Sequence, residues 1–176
     1  TIAHNTLVQD EKSHFGGDYE TGAAHHSKLE FYDFGDKKSN EDGSDSAFAK
    51  AQIIQASEQN AYPGTSMNRS IAMVQVPGLD HDVVIDIMKV SSDGSHQYDL
   101  PLYYQGQMLQ LNQEVKKDNQ LRPLGTANGY QHLWKNGLAT VSNENTVFNW
   151  LDNNRHFYTA TMATTVGDQI ILADLG

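Results

Sequence analysis

From Met67 to Val76 the chain reads MNRSIAMVQV, breaks at Pro77-Gly78, and resumes from Val83 to Val90 as VVIDIMKV before a second turn at Ser92-Asp93-Gly94. The first run alternates with the period of a strand, since successive side chains on an extended backbone point to opposite faces. Each run ends at residues that reverse the backbone or withhold a ladder donor, so the punctuation is that of short strands and turns.

The same pattern extends outward in both directions. Asn5 to Gln9 and Leu29 to Phe34 read as strands on the N-terminal side, with a Gly-rich turn at Gly16-Gly17 between them. Gly35 to Asp45 (GDKKSNEDGSD) is expected to be a mobile surface loop. In Ala47 to Ser57 helix and strand compete; Phe48, Ala51, Ile53 and Ile54 give no clean helical stripe, which favours strand. Downstream, strands are expected at Tyr98–Tyr104, Tyr130–Trp134, Leu138–Val141, Val147–Leu151, His156–Thr164 and Gln169–Ala173. Pro101 places the first of these at a sheet edge. The expected fold is all-β: an antiparallel β-sandwich of roughly ten to twelve strands forming one domain over residues 1–176. The strand pattern runs off both ends, from Thr1-Ile2-Ala3-His4 without an initiator Met to Leu175-Gly176, so the domain is expected to be truncated.

Composition narrows the function classes. The chain has 176 residues, 12 Lys and Arg against 22 Asp and Glu, and a formal net charge of -10. Binding to nucleic acid requires clustered cations to neutralise phosphates, and these are few and scattered. An acidic polysaccharide would also be repelled at long range, so a site for one needs local cations or neutral hydrogen-bonding groups set against the global field. There is no cysteine, which excludes a disulfide framework and thiolate zinc sites but leaves the compartment open. No apolar run approaches the ~20 residues that span a bilayer, and no signal peptide is visible.

Eight histidines direct the search for chemistry. His25-His26 would point to opposite faces of a strand and read best as a solvated pair. Asp80-His81-Asp82 reads as a polar turn rather than a ligand cluster. His4 is either a surface residue at a strand start or a zinc ligand whose partners lie elsewhere. In Gly129-Tyr130-Gln131-His132-Leu133-Trp134, strand alternation would put Tyr130, His132 and Trp134 on one face, able to stack on sugar rings or equally to pack beneath another layer. Arg155-His156 with Tyr158 offers a cation beside a phenol, suited to a uronate carboxylate, although a plain turn arginine after Asp152-Asn153-Asn154 is the preferred reading. Nucleophile elbows, P-loops, dinucleotide fingerprints and H-E-x-x-H motifs are missing from the sequence.

Several stretches, in order, resemble the heparinase II/III-like superfamily and within it the oligoalginate lyases (polysaccharide lyase family 17). They are AHNTLVQDEKSHFGG, RSIAMVQVPGLDHDVVIDIMKVSSDGSHQYDLPLYYQGQML, NGYQHLW, FYTATMATT and IILADLG. The resemblance implies an N-terminal α/α toroid followed by a C-terminal β-sandwich, with substrate held between them and cleaved by β-elimination at a uronic acid. It implies that residues 1–176 are that sandwich, with the toroid absent. The catalytic groups would then lie upstream, none of them in this chain, and the chain alone would be inactive. The resemblance also makes His4 one ligand of a structural zinc ion whose other ligands precede Thr1, so that zinc is weakly held or lost here. The implied partners are the toroid and a uronic-acid oligosaccharide, with a homodimer possible and neither nucleic acid nor membrane involved. The implied location is periplasmic or secreted, the cytoplasm remaining open. Two other readings stay open: a non-catalytic carbohydrate-binding module using the Tyr130–Trp134 face, and a structural domain that makes dimer contacts.

Overall fold

The structure is a computed structural model that describes residues 2–35 and 51–176. The all-β expectation holds, with twelve strands in four antiparallel sheets among the described residues. In chain order they are β1 (Val8–Gln9), β2 (Lys28–Asp33), β3 (Ala51–Tyr62), β4 (Thr65–Val74), β5 (Val83–Ser92), β6 (Tyr98–Asp99), β7 (Gln107–Leu111), β8 (Val115–Pro123), β9 (Leu133–Thr140), β10 (Asn145–Leu151), β11 (Phe157–Ala163) and β12 (Gln169–Leu175). One short helix, α1 (Tyr19–Ala24), lies between β1 and β2. The chain divides into two compact units, His14–Gln97 and the combination of Thr1–Ser13 with Tyr98–Gly176.

The His14–Gln97 unit is built on one sheet of order β2-β3-β4-β5. The sequence runs that open the analysis become β4 and β5, paired without a register break from Thr65↔Ser92 to Val74↔Val83. The ambiguous Ala47–Ser57 stretch is strand from Ala51 onward; its first residues, and nearly all of the expected Gly35–Asp45 loop, lie outside the described residues. Helix α1 starts where Asp18 Oδ1 accepts the Thr21 N–H at 2.7 Å, which satisfies one of the free donors of the first turn. Burial in this unit concentrates at the β3–β4 hairpin end, at Ala61, Tyr62, Thr65 and Met67. Farther along the sheet, apolar side chains stay exposed.

The other unit holds two three-stranded sheets, β11-β10-β7 and β12-β9-β8, and the small ribbon β1-β6. Each three-stranded sheet has one covered face: Leu133 and Ala139 of β9 are buried, as are Thr146 and Phe148 of β10. Ile2, Val8, Tyr130 and Leu133 form a buried cluster with Leu124 packed against it. Several polar groups drawn inside are satisfied, although Asp118 Oδ2 and Asn149 Oδ1 are buried without a hydrogen-bond partner. Gln113 Oε1 accepts from the Ser142 N–H and hydroxyl, each at 3.0 Å. Thr146 is fully buried, with its hydroxyl 3.1 Å from that of Thr164.

Four expectations need correcting. The strand expected over Tyr98–Tyr104 stops at Asp99: Pro101 has no N–H to give, and the Tyr103 N–H is donated to Asn5 Oδ1 at 2.6 Å. The strand expected over Asn5–Gln9 is only Val8–Gln9, because Thr6 N–H turns back to the His4 carbonyl at 2.7 Å. Strands β7 and β8 form where none is expected. Both are sheet edges, and edge strands such as VKKDNQLRP carry lysines rather than an apolar alternation. The Tyr130–Trp134 strand begins only at Leu133, since Tyr130–His132 is a 3-10 turn.

One glycine is demanded by a close approach. Gly106 has φ +107°, and a Cβ there would lie 2.0 Å from the Leu151 carbonyl oxygen and 2.8 Å from Asp152 Cα. The backbone entering β7 therefore presses against the end of β10, which only glycine permits.

Candidate functional site

The 3-10 turn dismantles the shared face expected for Tyr130, His132 and Trp134. Tyr130 is buried in the core cluster and its hydroxyl donates a short hydrogen bond to Asp99 Oδ2. His132 and Trp134 remain exposed, and the Trp134 ring lies directly against Gly176. No common platform of three rings results.

The other histidines divide between structural and exposed positions. His25 closes α1, its N–H bonded to the Gly22 carbonyl and its ring tilted against Phe15 at 4.8 Å. His26 and the Asp80-His81-Asp82 turn are exposed. His4 is exposed as well, and among the described residues no group of three His, Cys, Asp or Glu side chains is placed to hold a metal ion. The donors described here therefore do not by themselves make a zinc site.

The group that the structure does bring together is at the β10–β11 hairpin. Strand alternation puts Phe148 and Trp150 of β10 on one face, and the ladder sets Tyr158 of β11 directly opposite Trp150. Phe148 and Trp150 stack at 5.2 Å with 22° between planes, and Trp150 and Tyr158 at 5.0 Å with 12°. Tyr104 meets the stack obliquely, 4.9 Å from Phe148 and 5.9 Å from Trp150. Burial holds the Tyr104 phenol above its ordinary pKa, with the Asp174 carboxylate adding to the shift. The stack grades from core to solvent: Phe148 is buried, Trp150 half-buried, and Tyr158 43% exposed even with one face against Trp150.

Asp152 organises the turn at the exposed end. Its Oδ1 accepts the N–H groups of Asn154 at 2.8 Å and His156 at 2.9 Å, and its Oδ2 lies 3.1 Å from His156 Nδ1 and 3.5 Å from the Tyr158 hydroxyl. The backbone N–H of His156, followed by the His156 ring and the N–H of Asn154, holds the Asp152 carboxyl below the ordinary aspartate pKa. An ionised carboxylate can only accept, so His156 Nδ1 carries the proton and Nε2 is left for another partner. Arg155 sits between these groups with φ +69°, a left-handed conformation unusual for a residue with a Cβ. The turn expected after Asp152-Asn153-Asn154 is therefore present, and it carries the arginine beside His156 and Tyr158.

Comparison with known proteins places the chain. It is 39% identical over its full length to an exo-oligoalginate lyase of Saccharophagus degradans and 36% identical over its full length to an alginate lyase of Stenotrophomonas maltophilia. The chain is homologous, end to end, to one stretch of two alginate lyases. It spans less than a quarter of these curated relatives, 23% and 22% of their lengths. No family model matches the chain. Among the described residues no helix is long and apolar enough to cross a membrane.

Proposed function

We propose that this chain is the β-sandwich portion of a polysaccharide lyase that cleaves uronic-acid polysaccharide or oligosaccharide, with alginate favoured, by β-elimination. The observation that carries the reading is the end-to-end similarity of the chain to part of two alginate lyases, together with its antiparallel all-β fold. In such a reaction a base takes the C5 proton of the uronate and the C4–C5 double bond forms. The glycosidic oxygen leaves C4 and takes a proton from an acid. We assign most of the catalytic groups to an N-terminal toroid and a further catalytic Tyr to sandwich residues upstream of Thr1, all outside residues 1–176, and to this domain the bracing of the substrate cleft. Of the Tyr130, His132, Trp134 trio, His132 and Trp134 are kept as proposed sugar contacts because they are exposed, whereas Tyr130 is engaged in the core. His4 would be one ligand of a structural zinc in the longer protein, completed by side chains from outside this chain. A periplasmic or secreted location fits a polymer too large to enter the cell.

The test compares the longer enzyme with the chain alone on oligoalginate, following the ultraviolet absorbance of the unsaturated product. Turnover by the longer enzyme and none by the chain is the expected result. Turnover by the isolated chain would overturn the division of labour, and an inactive longer enzyme would overturn the lyase reading itself.

A further inference from the structure

We propose that the Asp152–His156 turn and the exposed ring of Tyr158 form a binding subsite for a uronate residue of an acidic oligosaccharide. The choice of an acidic sugar rests on the lyase reading above; the existence of a subsite rests on the geometry of the hairpin. Three independent features converge on it.

The first is the ring. Trp150 covers one face of Tyr158 and fixes its plane, yet Tyr158 keeps 43% of its surface exposed. A pyranose presents a patch of axial C–H groups that packs on such a face, and a ring already locked by stacking loses little freedom on binding.

The second is the charge. Among the described cations, Lys28, Arg69, Arg122 and Lys135 each face a carboxylate, of Glu30, Asp86, Asp118 and Asp118 respectively. Lys89, Lys116 and Lys117 on β5 and β8 share with Arg155 the lack of an ion pair among the described residues; of these, Arg155 alone stands beside the Tyr158 ring. Arg155 is exposed and makes no ion pair among the described residues. Beside it, His156 is anchored through Nδ1 to Asp152, which leaves Nε2 to bond a sugar hydroxyl, or a carboxylate when the ring is protonated. Asp152 itself does not repel the ligand strongly, because two backbone N–H groups and the imidazole already surround it. On a chain of net charge -10, Arg155 and the ring nitrogen of His156 supply the local cation and neutral hydrogen-bonding group that an acidic sugar requires.

The third is the strain. Asp152 anchors the turn from both sides, and the result forces Arg155 to φ +69°. Asn or Gly would occupy that conformation more readily, so the arginine, like Asp10, Glu11 and Phe15 elsewhere in the chain, is held there at a conformational cost. Presentation of a guanidinium for bidentate binding of a carboxylate accounts for it.

The experiment is isothermal titration of the full chain with trimannuronate and triguluronate, with cellotriose as the neutral control. Saturable binding of an acidic trisaccharide, and at least tenfold weaker binding of cellotriose, is expected. Arg155→Gly should weaken acidic-sugar binding by about tenfold or more, the scale of a lost charge-assisted bond, while leaving the urea unfolding midpoint at or above that of the parent. Tyr158→Ala should also abolish saturation, and Arg155→Lys should weaken binding less than Arg155→Gly. No binding by the parent chain, equal affinity for cellotriose, or unchanged binding by Arg155→Gly would each overturn the subsite. The lyase reading is scored separately by turnover of the longer enzyme: an active enzyme whose Arg155→Gly chain binds trisaccharide unchanged sinks the subsite alone, and an inactive enzyme with an Arg155-dependent acidic-sugar site sinks the lyase reading alone.

Discussion

Strands β5 and β10 are both rich in apolar residues, VVIDIMKVSS and NTVFNWL, but they live in different surroundings. β10 is the central strand of its sheet, and Phe148 is only 5% exposed. β5 is a sheet edge, and Val84 and Ile87, which point to opposite faces, are 62% and 59% exposed. The contrast teaches that apolar content makes a strand, while a second layer makes a core. β10 has covering side chains within its own unit, and the far end of the β2-β3-β4-β5 sheet has none among the described residues.

The comparison can be broken by substitution. Phe148→Ala should cost about 3–5 kcal/mol, because it removes a buried ring on which Tyr104 and Trp150 pack; a urea midpoint unchanged from the parent would refute the assignment of the core to this unit. Thr146→Val should cost about 1–3 kcal/mol, since it keeps the shape but strips the hydroxyl that faces Thr164 inside the same unit. It is read in the same denaturation series, where a neutral result would show that the pair is dispensable.

Arg155→Gly acts in the other direction. Relief of the left-handed strain should stabilise the chain by about 0.5–1 kcal/mol, and a lower midpoint would mean that the arginine side chain packs in a way that the turn geometry does not reveal. Ile87→Ser on the bare sheet should change stability by less than about 0.5 kcal/mol. Its larger effect should be reduced self-association by light scattering, because it interrupts an exposed apolar surface. A stability loss as large as that of Phe148→Ala would erase the distinction between the two strands.

These differences also mark what is legible in the residues. Strands β2, β4, β5, β10, β11 and β12 can be read from alternation and turn punctuation, because both are local properties of the backbone. β7 and β8 are not legible, since edge strands held by ladder bonds need few apolar residues. Tyr130 shows the limit from the other side: its spacing from His132 and Trp134 fits a strand, but a 3-10 turn takes it inward to Asp99, a partner far away in sequence. At the candidate subsite, Arg155, His156 and Tyr158 are visible as a suitable set of side chains. The alternation of Phe148 and Trp150 is visible too. What cannot be read is that Tyr158 falls opposite Trp150, because register across a hairpin depends on the turn as well as on the strands.

The contact between Gly106 and the end of β10 ties these observations together. A methyl group at position 106 has no room beside the Leu151 carbonyl and Asp152 Cα, so it must either shift the entry to β7 or tilt the base of the Asp152 turn. Gly106 is thus a fixed seat beneath that turn. A change there, on a segment that carries none of the groups of the proposed subsite, would be transmitted to the angle at which Arg155 and His156 are presented, retuning that subsite from beneath without altering any of its residues.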